Sequence, residues 1–61
     1  MMWVLLTETS GAEIEIDLAH IVAMQRVNDQ TVLTTVNPHL TLYVRETPEE
    51  VRSAKKLAVE H

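Results

Sequence analysis

A chain of 61 residues has room for one domain, and a domain this small buries only about 60% of the surface its unfolded form exposes. Cysteine is absent, which excludes disulfides and thiolate metal sites, and His20, His39 and His61 are too scattered to form a recognisable ligand set; self-association is the remaining remedy for a marginal core. The net charge is -4, and in the first half Glu8, Glu13, Glu15, Asp17 and Asp29 are accompanied only by Arg26, a surface that repels phosphate and argues against nucleic-acid binding.

The pattern predicts an α+β, mainly β, domain over residues 1–61: a small antiparallel sheet of about five strands, then one C-terminal helix. The first strand spans about 2–7, "MWVLLT". It is apolar but far too short to span a bilayer, and no basic segment precedes it as a secretion signal requires; the expectation is a cytoplasmic protein without membrane insertion. "ETSG" is a turn cluster ending in the lone Gly11, and "AEIEID" (12–17) alternates, with Ile14 and Ile16 opposite Glu13, Glu15 and Asp17. These two segments read as a hairpin.

"HIVAMQR" (20–26) is read as a strand because its β-branched residues outweigh a short-helix alternative. Period two puts Val22 and Met24 on one face and Ile21 and Ala23 on the other. "NDQ" turns the chain into "TVLTTV" (31–36), the densest β-branched run. "NPH" turns it again, and "LTLYVR" (40–45) sets Leu40, Leu42 and Val44 against Thr41, Tyr43 and Arg45. A helix over about 48–59 follows. Thr47 suits the N-cap, Pro48 the first helical position, and Glu50 completes a capping box. Val51, Ala54, Leu57 and Ala58 make a narrow apolar stripe.

The strands carry more apolar side chains than this helix can cover. Trp3, Val4, Leu6, Val22 and Met24 are therefore candidate interaction residues, with a second copy covering them; a small closed barrel would instead use both faces internally. Tyr43 and Arg45 are candidates for an exposed contact surface. The row Glu13, Glu15, Asp17 could meet a cation or a basic partner, but carboxylates roughly 7 Å apart read as a solvated strand face. Asp17 and His20 have no nucleophile in fixed relation to them, and one glycine makes no phosphate loop. No catalytic residue, metal or cofactor is implied.

The succession Leu6-Thr7, Gly11, Ile14, Ile16, Ile21, Thr31-Val32 and "VRETPEEV" (44–51) resembles the small flagellar proteins of the FlbD (SwrD) type. The resemblance covers about residues 3–52, and the strand-to-helix junction is its most specific part. It implies a cytoplasmic, non-enzymatic accessory protein of motility that acts through an unidentified protein partner. The chain departs from the pattern at Asn37-Pro38-His39, where a short Asn-Gly or Asp-Gly turn is usual, and in having only Lys55 and Lys56 near its end. Length and "TVNPHLTLYV" are also similar to RNA-binding carbon storage regulators of the CsrA type. There, however, Glu8 stands where that family has a base, and stacking and cationic groups are few. A small phage or host-encoded acidic inhibitor fits the charge as a third class.

Overall fold

The computed structural model describes residues 2–37 and 39–57. The apolar opening forms β1 (Trp3–Thr7) and the alternating segment forms β2 (Glu13–Asp17). They pair antiparallel, with Trp3 opposite Asp17 and Thr7 opposite Glu13. Gly11 permits the hairpin connection: it adopts a φ of 98°, which side chains disfavour, and its amide donates to the Glu8 carbonyl at 2.9 Å. Asp17 then ends β2 and starts a 3-10 turn, Leu18–His20, by accepting the Ala19 amide at 3.0 Å.

The turn delivers the chain into β3 (Ile21–Val27), which forms a hairpin with β4 (Gln30–Thr35). Asn28 takes a φ of 55° at the first of the two loop residues, the sign that tight hairpin turns require. β5 (Thr41–Val44) pairs with the far side of β4. The expected single sheet is thus divided into two, one of two strands and one of three. A bridge between Glu8 and Val44 joins them, supported by Thr9 N–H to the Tyr43 carbonyl at 3.1 Å and Arg45 N–H to the Thr7 carbonyl at 2.8 Å. Across both sheets the neighbour order is therefore β2, β1, β5, β4, β3.

The core lies between the sheets and is made of Val4, Leu6, Ile16, Leu33, Val44 and Val51. Alternation explains most of it: Val4 and Leu6 face inward with Ile16, while Leu5 stays exposed. In β3 strict alternation fails. The register slips between Ile21 and Ala23, so a bulge carries Val22 out of the pleat. Ile21 and Met24 both pack on the core, and Val22 is 61% exposed with Ala23 beside it. The pairing of Val22 with Met24 on one face is corrected accordingly. Val4 and Leu6, expected at an interaction surface, are fully buried in the chain's own core. Of Leu40, Leu42 and Val44, only the last two pack inward; Leu40 lies exposed before β5 begins.

The helix α1 (Pro48–Ser53) starts as its residues direct. Thr47 accepts the Glu50 amide at 3.1 Å, and the Glu50 carboxylate accepts the Thr47 amide at 2.9 Å. It ends earlier than expected. Ala54 takes extended dihedrals, φ -58° and ψ 143°, and the Leu57 amide donates to the Trp3 carbonyl at 2.8 Å. The tail leaves the helix because β1 offers a carbonyl on the edge that β5 does not reach, and because Val51 is the helix's only buried residue. Ala58 and Val59, at the end of the expected helix, lie outside the described residues, as do Pro38 and His61. Among the described residues no helix is long and apolar enough to cross a membrane.

A domain of this size has a total stability of roughly 3–9 kcal/mol. Leu33 is 0% exposed on the central strand of its sheet, so Leu33→Ala should cost about 2–5 kcal/mol, a large share of that. Leu5, 44% exposed, should tolerate Ala at less than about 1 kcal/mol; urea unfolding of the two variants checks the contrast.

Candidate functional site

The registers of β3, β4 and β5 define a face directly. Gln25, Val32 and Tyr43 stand in one cross-strand row, and Ala23, Thr34 and Thr41 in the next. The row between them, Met24, Leu33 and Leu42, points to the core, so these two rows point away from it. Tyr43 is 45% exposed, and Val22 and Val36 add exposed apolar side chains at the far end, where the Val36 amide donates to the His20 carbonyl. No carboxylate and no cation belongs to either row. The two rows form an uncharged face on a chain that is 23% charged, bordered just beyond β5 by the exposed Arg45.

The charges lie elsewhere. Glu13 and Glu15 are exposed on β2, but Asp17 does not continue their row. It is only 6% exposed, and its carboxylate accepts the Met2 amide at 3.1 Å as well as that of Ala19, tying the start of β1 to the end of β2. Arg26 is exposed near the end of β3 and donates to the Thr31 hydroxyl at 3.2 Å and to the Arg45 carbonyl at 3.2 Å. Arg45 lies just beyond β5, and its guanidinium donates to the Thr9 carbonyl at 3.1 Å. There it lines an open groove of about 510 Å³ with Thr9, Asn28, Asp29 and Gln30.

The residues singled out in the sequence therefore do not form one site. Val22 and Tyr43 reach the uncharged face. Val4, Leu6 and Met24 serve the core, Trp3 is half-buried where the tail meets β1, and Arg45 belongs to the groove. Thr41 joins Tyr43 on the uncharged face, as their shared strand face implies; Ala23, Gln25, Val32 and Thr34 were missed as a surface, although the segments 21–25, 30–36 and 40–44 carry no charge and signal it. His20 is exposed at the end of the 3-10 turn, and among the described residues no three His, Asp or Glu side chains group to hold a metal ion. No protein-family model, no curated protein and no solved structure matches the chain.

Two carboxyls are held below their ordinary values. At Asp17 the Ala19 amide does most, with the Met2 amide and His20 adding to it against the opposing effect of burial. At Glu50 the Thr47 amide and hydroxyl lead, and Arg26 contributes. A depressed folded-state pKa means that protonation favours the unfolded chain. Their contribution is complete above about pH 5 and is lost as pH falls through 4 and below. The urea midpoint should fall between pH 5 and pH 2.5, and Asp17→Asn should flatten that slope; an unchanged slope contradicts the assignment.

Proposed function

We propose that this chain is a small, non-enzymatic, cytoplasmic protein-interaction module, with a role in motility of the kind its resemblance to FlbD-type proteins implies. The observation that carries the interaction reading is the uncharged outer face of β3, β4 and β5. The core is filled without it, yet it displays Tyr43, Val32 and Val22. Depletion of charge together with an exposed aromatic is the composition of the centre of a protein contact. Support for the motility part comes from the junction from Val44 to Val51, where the resemblance is most specific.

An RNA partner draws less support. Arg26 and Arg45 direct their guanidinium groups to backbone carbonyls, and the uncharged face offers phosphate no cation. An acidic inhibitor that occludes a basic surface draws its support from Glu13 and Glu15, exposed side by side on β2.

Deletion of the gene from its source cell, followed by complementation, tests the proposal. Swimming speed should drop without a change in growth rate. The wild-type chain should restore it, and Tyr43→Glu, a change at an exposed position, should not. Unaltered swimming on deletion overturns the motility part; full rescue by a folded Tyr43→Glu chain overturns the interaction part.

A further inference from the structure

We infer that a second copy of this chain covers the outer face of β3, β4 and β5, in a two-fold, sheet-on-sheet contact. The inference rests on the interaction reading and names its partner.

Charge argues for the second copy. A two-fold contact sets each residue against itself or its symmetry-related neighbours, so any charge near the axis meets its own sign. For a chain of net charge -4, a region that carries none of that charge can meet its own copy without like-charge repulsion at the contact. The two outward rows meet that condition. Ala23 and Val32 need no polar partner. Gln25, Thr34, Thr41 and Tyr43 each both donate and accept a hydrogen bond, so each can be satisfied by an identical group, as a carboxylate or an ammonium cannot. A basic protein would instead be drawn to Glu13 and Glu15, which lie on the other sheet.

Position argues the same way. β4 is the central strand of its sheet, and Thr34 stands in the middle of its row, between Ala23 and Thr41. Two such faces can stack as the layers of a sandwich do, about 10 Å apart, without opening either core. Area sets the strength. Three strands about 4.8 Å apart and four to seven residues long cover at most roughly 14 by 20 Å, on the order of 300 Å² in projection per copy. A standard interface takes about 800 Å² from each partner, so this dimer is a weak one, with a dissociation constant of micromolar order or above.

The test is sedimentation equilibrium from about 10 µM to about 1 mM, with amide chemical shifts followed over the same range. The wild-type chain should pass from monomer to dimer, with shifts confined to β3, β4 and β5. Thr34→Glu puts two carboxylates together near the axis and should raise the dissociation constant more than tenfold. Gln25→Glu, nearly isosteric, should do the same and covers the case that Thr34→Glu fails to fold. Leu5→Glu, on the other sheet, should leave the dimer intact.

A monomer throughout that range overturns the inference, as does a dimer indifferent to both face variants or one whose shifts fall on β1 and β2. If the chain is a monomer and Tyr43→Glu still fails to restore swimming, the interaction reading stands and the face belongs to a different protein.

Discussion

The Thr7 backbone amide points away from β2, toward an edge where no strand carbonyl is offered to it. The Glu46 carboxylate accepts it with both oxygens, each at 3.0 Å. A buried donor left without a partner costs about 1–3 kcal/mol, a large share of the stability of so small a domain. The same residue's carbonyl accepts the buried Thr31 hydroxyl and the Arg26 guanidinium. Glu46 thus holds β1 with one end and β3 and β4 with the other. The next residue, Thr47, starts α1, so this anchor also fixes the direction in which the helix leaves and the depth to which Val51 sinks. The junction between strand and helix is where two small sheets become one molecule.

That constraint explains how a chain without disulfides closes its core. Val4, Leu6 and Ile16 come from one sheet, Leu33 and Val44 from the other, and Val51 from the helix that Glu46 aims at them. Asp17 does the corresponding work at the opposite end, where its carboxylate ties Met2 to the 3-10 turn. Both anchors are acidic side chains bonded to backbone amides rather than paired with bases. The acidic balance of the chain is therefore partly structural, and its solvated part is narrower than the composition suggests. What the closed core leaves over includes the uncharged outer face of the larger sheet, with Val22, Val36 and Tyr43 exposed, and Leu5 exposed on the smaller one.

Much of this was legible in the residues. Alternation marked β2 and β5, an apolar run marked β1 and a β-branched run marked β4, and Thr47, Pro48 and Glu50 marked the start of α1 with three agreeing signals. The bulge at Val22 was not legible, because local sequence does not say where a ladder slips, and one slip reversed which β3 side chains face water. The end of α1 was missed because tertiary competition decides it: the Leu57 amide finds the Trp3 carbonyl. Asp17 read as one more acid on a wet strand face, since alternation cannot reveal that two amides converge on it. Of the apolar residues expected at a surface, Val4, Leu6 and Met24 serve the core while Val22 and Tyr43 stay exposed, and the outer face around them is made of Thr, Val, Gln and Ala, residues too ordinary in a strand to announce themselves.

The measurement that bears most directly on this account is amide hydrogen exchange at Thr7 in the wild-type chain and in Glu46→Ala. Thr7 should lose protection together with Thr9 and Arg45, the amides at the bridge between the two sheets, while Met24 and Leu33 in the β3–β4 hairpin lose less. Protection at Thr7 that survives the loss of the Glu46 carboxylate, or a loss spread evenly over every strand, would contradict it.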